Sequence, residues 1–374
     1  YTDNLLPDST SSDYIFVYGE SDNGSYDHLH LNKTHHWLRD GAPYRLTDNI
    51  IVWEYTHTTE NLSTLKIYPG TEVAFEQNKS IYVGHDSDSR HVGALQADSV
   101  TFTSVDESVT GGQIMFRNFS KDDESYINAS IIEHMNDGVY CASSNPTLTN
   151  NIFRNNADGI ESDGGSAPII TGNTFTNNQY PVKIFGNDID GNLQGNTYTD
   201  NLLQDGTSSD YIFVYGESDN GNYDHIHLNK THHWLNDGAP YRLTDDIHVW
   251  EHSNNSDNLS ILKIYPGTVV AFEQDKKIYI GHGSDSRHVG AIQADSVTFT
   301  SVNESVSGDW IYFNDHSRDD ESYLDHCIIE HMADGVYCAS SSPTLTNNIF
   351  RNNTDAGVDA DASGSAPIIT GNTF

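Results

Sequence analysis

Three successive segments decide the fold: SIIEHMNDGVYCASSNPTLT from Ser130, NIFRNNADGIESDGGSAPIIT from Asn151 and NTFTNNQYPVKIFGN from Asn173. Laid under one another at a step of about 21 to 23 positions, they put Ile132, Phe153, Phe175 and Tyr198 in one apolar column. Val139, Ile160 and Val182 fall in a second column, and Leu148, Ile170 and Leu193 in a third. Apolar alternation runs only a few residues at a time between Gly, Asn, Asp and Pro, too short for helices, so each column marks a strand. Strands of successive turns then stack in parallel at ~4.8 Å per turn. The spacing predicts an all-β fold, a right-handed parallel β-helix (β-solenoid). Asn151, Asn173 and Asn196 make a polar corner column whose stacked amides can satisfy one another, with Ser130 in that place one turn earlier.

A longer period contains the short one. YTDNLLPDSTSSDYIFVYGESDNG from Tyr1 returns as YTDNLLQDGTSSDYIFVYGESDNG from Tyr198, a shift of 197 positions. Two tandem copies are expected, 1–197 and a shorter 198–374, each opening with a linking or capping segment (1–42 and 198–239). Both chain ends fall in the phase of Phe175, which reads as an excerpt from a longer array. Open strand edges there would favour self-association with further copies or neighbouring chains.

Composition narrows the setting. Asp and Glu number 54 against 18 Lys and Arg, a formal charge of −36. Such a surface repels phosphate backbones, so nucleic acid is not an expected partner, and it suits high salt or divalent cations. No apolar run approaches the roughly 18 residues of a membrane span, so no membrane insertion is expected. Three cysteines, Cys141, Cys327 and Cys338, are too few for a disulfide framework and are expected to be unpaired. The acidity places the chain outside an ordinary cytosol, secreted or at the cell surface; eleven Asn-x-Ser/Thr sequons occur, as a chain rich in Asn, Ser and Thr yields by composition.

PYRLTDNIIV from Pro43, LKIYPGTEVAF from Leu65, SIYVGH from Ser80, GALQADSVTFTS from Gly93 and GDWIYF from Gly308 resemble secreted pectin-lyase-like β-helix repeat proteins. The acidity and tandem duplication resemble surface proteins of methanogenic or salt-loving archaea. The resemblance implies the fold, which hosts lyases, hydrolases, adhesins and passive surface layers alike.

Candidate sites are few. In HLHLNKTHHW and HIHLNKTHHW, His28, His30, His35 and His36, with His225, His227, His232 and His233, offer imidazoles that could meet at a transition metal. In DIDGN, Asp188, Asp190 and Asn192 could hold structural calcium. Asp158 and Asp355 sit in NADG and NTDAG, which resemble the Asn-Thr-Asp element of polysaccharide hydrolases on this fold. The paired aspartates of those enzymes are missing from the sequence, so both are expected to lack an acid partner. Glu133 with Arg154 and Glu330 with Arg351 are expected to pair on adjacent turns. Near-identical duplication suits an extracellular structural or adhesive protein, of an envelope, sheath, fibre or stalk, better than a catalyst. A surface polysaccharide is a candidate partner, and the alternative reading is a cell-surface polysaccharide lyase or glycoside hydrolase.

Overall fold

The computed structural model describes residues 13–18, 34–53, 62–107, 110–216, 224–225, 230–250, 259–304, 310–361 and 364–374. The chain divides into two compact units: Tyr1–Lys183 with Gly195–Asp210, and Ile184–Gln194 with Tyr211–Phe374. Among the described residues every strand ladder is parallel, and they hold only two short 3₁₀ turns, Asp122–Glu124 and Gly186–Asp188. Each unit is an all-β parallel β-helix with three sheets, built as the apolar columns require.

In the first unit one sheet runs through Ile15–Val17, Tyr44–Leu46, Glu72–Phe75, Thr101–Ser104, Ile131–Glu133, Ile152–Arg154, Thr174–Thr176 and Thr197–Thr199. Ile132, Phe153, Phe175 and Tyr198 stand opposite one another along it. The three aromatic rings stack at 5.1 Å, nearly parallel. Val139 pairs with Ile160 and Leu148 with Ile170 on the other two sheets, and all four are buried. The second unit repeats this with Tyr241, Val270, Phe299, Ile329 and Phe350 in register.

The short step read from the sequence holds only for the later coils. Tyr44, Val73, Phe102 and Ile132 are also in register, yet each of the three steps between them takes a longer stretch of chain than the one from Ile132 to Phe153. The extra residues lie in corner loops such as His85–His91 and the turn at Asp122–Glu124, which leave the strand columns aligned. Thr34–Trp37, expected within a linking segment, is a ladder strand against Leu62–Ile67, and Trp37 is buried and stacked on Tyr44 at 5.0 Å. Ile15–Val17 likewise pairs with Tyr44–Leu46.

The corners have their own rule. The chain turns at a residue with positive φ and immediately buries the next side chain in a ladder. Asn150, Asn155 and Asn177 take φ of 55–57°, a conformation Asn tolerates better than most residues, and Asn151, Asn156 and Asn178 follow them inside. The Oδ1 of Asn173 accepts from the Asn151 backbone N at 2.9 Å, and its Nδ2 donates to Leu148 O at 2.9 Å. Asn196 serves Asn173 in the same way, and Asn151 serves Ser130. A second ladder through Asn156, Asn178 and Asn201 does the same at the next corner. These amides satisfy buried backbone groups that no sheet bond reaches.

Candidate functional site

Among the described residues, the strands Met135–Cys141, Asp158–Ser162 and Tyr180–Phe185 of the first unit bring together a cluster of titratable side chains. Asp137 and Asp158 are in register on neighbouring coils, each followed by glycine. A Cβ on Gly138 would lie 2.6 Å from Gly159 O, and one on Gly159 2.4 Å from Pro181 O. Glycine therefore lets the coils close down and brings the two aspartates together. One oxygen each from Asp137, Asp158 and Glu161 lies within 4.8 Å of the others. Lys183 Nζ donates to Asp158 Oδ2 at 2.9 Å and to Glu161 Oε1 at 2.8 Å.

Burial, reinforced by the Glu161 charge, pushes the Asp137 carboxyl up to about 6, against the pull of the Asn136 amide. Burial also raises Asp158, and the Lys183 ammonium only partly offsets it. Lys183 is half-buried, which opposes its charge, yet its hydrogen bonds to Glu161 and Asp158 hold its pKa above the ordinary value. The group is a stacked pair of buried aspartates with raised pKa values, and Lys183 bridges Asp158 and Glu161 beside them.

Asp158 thus has the acid partner that its sequence context denied it, because Asp137, one coil earlier, is stacked directly beside it. Asp355 is different. An added residue ahead of Gly357 shifts the register, so that Ala356 rather than Asp355 pairs with Asp334, and Asp355 is exposed. The second unit therefore does not rebuild the acid pair.

The expected metal sites resolve unevenly. His35 and His36 are neighbours on one strand and project to opposite sides, His35 beside Leu65 in register and His36 hydrogen-bonded to the Tyr68 hydroxyl at 2.9 Å. His232 is fully buried with Nδ1 3.4 Å from Ile189 O, while His233 faces out to the Tyr265 hydroxyl at 2.8 Å. Neither adjacent pair can close on one ion. His28, His30 and His227 lie outside the described residues, and only the backbone of His225 is described, in the strand Asp224–His225. In the DIDGN turn, Asp190 pairs with Lys230 at 2.8 Å, Asn192 Oδ1 accepts from the Asp190 backbone N, and Asp188 is buried in the short 3₁₀ turn. Lys230 thus engages Asp190 Oδ2, and the turn's own backbone engages Asn192 Oδ1. Glu133–Arg154 and Glu330–Arg351 pair as the spacing requires.

One further row, of half-buried tyrosines running from a buried histidine, was not apparent in the sequence. In the second unit His248, Tyr279, Tyr312 and Tyr337 stand in register on four coils. Ring centroids along this ladder are 4.7, 5.4 and 4.9 Å apart, and Trp310 flanks it at 5.2 Å from Tyr337. The matching row of the first unit is Ile51, Tyr82, Met115 and Tyr140, with Gln113 where the second has Trp310.

No described helix is long and apolar enough to cross a membrane. No curated protein and no solved structure matches the chain significantly. The family described as a right-handed beta helix region matches residues 65–203 and 276–374, more than half of the sequence, so its handedness agrees with the fold predicted from the columns. Matched through most of both repeats and built of parallel coils across its described residues, the chain belongs to the right-handed β-helix family.

Proposed function

We propose that the protein is an extracellular structural or adhesive scaffold, presenting stacked side-chain rows to neighbouring chains or a surface polysaccharide. The observation that carries this reading is what duplication kept. Both units preserve the aromatic columns and the corner ladders, whereas the clustered acids of the first unit have no counterpart where Ala356 replaces the second aspartate. A catalyst copied for its chemistry would keep the acids, while a scaffold need keep only what stacks. The aromatic ladder of the second unit adds an adhesive face of half-buried rings ending in hydroxyls.

The alternative, a polysaccharide lyase or hydrolase, rests on Asp137 and Asp158. Incubation of the full chain with neutral and acidic polysaccharides, followed by reducing-end and unsaturated-uronate assays, separates the two. The scaffold reading expects no cleavage, with self-association or polysaccharide retention that weakens in Tyr312→Ala. Cleavage that disappears in Asp158→Asn would overturn it.

A further inference from the structure

The two units differ at one corner in a way that creates metal-ligand chemistry. In the first unit Asn128 links three coils. Its Nδ2 donates to Asp98 Oδ1 at 3.2 Å, and its Oδ1 accepts from Thr149 Oγ1 at 2.9 Å and Asn150 Nδ2 at 3.2 Å. The next residue, Ala129, is the turn residue with φ of 49°. In the second unit the corresponding residues are Asp325 and His326, with Asp295 in place of Asp98.

Half of the old arrangement survives. Asp325 Oδ1 accepts from Thr346 Oγ1 at 2.6 Å and Asn347 Nδ2 at 3.0 Å, as Asn128 does from its equivalents. The other half is inverted. The amide that donated to the neighbouring aspartate has become a carboxylate oxygen, so Asp295 and Asp325 face each other in register as like charges. The hydrogen bonds from Thr346 and Asn347 hold the Asp325 carboxyl below its ordinary pKa. The second replacement supplies an imidazole at this place: His326 Nδ1 lies 2.9 Å from Asp325 Oδ2. Ligand atoms of Asp295, Asp325 and His326 all fall within 4.8 Å of one another.

We propose that Asp295, Asp325 and His326 bind a divalent transition-metal ion of the zinc class, through two carboxylates and one imidazole, with water in the remaining positions. The ion would neutralise the carboxylate pair that the Asn-to-Asp difference creates. The imidazole favours zinc, nickel or copper over calcium, which takes oxygen ligands. Bonds of roughly 2.0–2.2 Å need the three groups to draw in from their present spread, and Asp295 and His326 are exposed at the surface, where side chains have room to adjust.

The test is Zn²⁺ titration of the full chain by calorimetry, comparing parent, His326→Ala, Asp325→Asn and, in the first unit, the double variant Asn128→Asp/Ala129→His. The chain contains 19 histidines, so differences between variants carry the result. His326→Ala and Asp325→Asn should each remove one equivalent or weaken it by ~10-fold or more, since even outer-shell partners cost that much. The double variant should gain one equivalent, and because it adds ligands, its outcome does not depend on a deletion being tolerated. Identical Zn²⁺ isotherms for parent and His326→Ala, or Ca²⁺ occupying the site as tightly as Zn²⁺, would overturn the proposal.

Discussion

Replacing Asn173 by alanine tests the corner ladder at its centre. The side chain is 1 % exposed. Its truncation strands the Asn151 backbone N–H and the Leu148 carbonyl, and removes the 3.1 Å bond to Asn196 Oδ1. A buried backbone group left without a partner costs ~1–3 kcal/mol, so two such groups predict a loss of about 4 kcal/mol. Unfolding entropy near 2.1 cal/mol/K per residue converts this to a fall of about 5–10 °C in the melting of the first unit, depending on how much of the chain unfolds with it. Asn173→Asp should be worse at neutral pH, because the donating amide becomes an anionic oxygen aimed at the Leu148 carbonyl and Asn196 Oδ1. It should recover in acid, where the carboxyl regains a proton to donate. Calorimetric and circular-dichroism melts of both variants at pH 4 and pH 7.5 read these outcomes. An alanine variant that melts within about 1 °C of the parent, or an aspartate variant milder than alanine at pH 7.5, would refute the reasoning.

Asp137→Asn reads the acid pair through pH. The folded pKa of about 6 lies above the ordinary carboxylate value of 3.8, so the stability carried by the protonated form is complete below about pH 4 and lost as pH rises through 6. A permanently neutral Asn should match the parent at pH 4 and exceed it by up to about 3 kcal/mol at pH 8, and an equal difference at both pH values would contradict this. Cys141, Cys327 and Cys338 are buried and unpaired, and burial pushes the Cys327 and Cys338 thiols up to about 12. They should ignore a thiol reagent in the native state and all three should react in denaturant; fast native labelling would refute the burial. Gly159→Ala drives a Cβ to 2.4 Å from Pro181 O and should destabilise by about 2 kcal/mol or more, whereas a neutral result would show that the coils can part there.

Much of this architecture was legible in the chain because a stacked fold writes its contacts at a fixed interval. Ile132, Phe153, Phe175 and Tyr198 align by counting alone, and so do Glu133 with Arg154. The second amide ladder was equally present, in the matching offsets from Asn151 to Asn156 and from Asn173 to Asn178. In each of these Asn-Asn dipeptides the first asparagine bends the chain and the second is buried, a division of labour that the residue types alone do not reveal. The longer early coils were hidden by loops that carry no apolar column. Asp137 and Asp158 each resemble an ordinary Asp-Gly turn, and only their registration on adjacent coils makes them a pair. The offset of Asp355 turned on a single inserted residue, below what alignment by eye resolves.

The in-register stacking of each coil on the one before it bears on how the chain reaches this state. Within a unit every ladder closes a loop of modest and similar length, so no pairing must wait for distant segments to meet. Once one coil is formed, its open edge is a template on which the next segment can settle as it leaves the ribosome. Assembly of this kind proceeds like crystal growth in one dimension, with a slow first layer and rapid addition afterwards. A defect in one corner ladder then halts growth locally and leaves the coils already laid down intact.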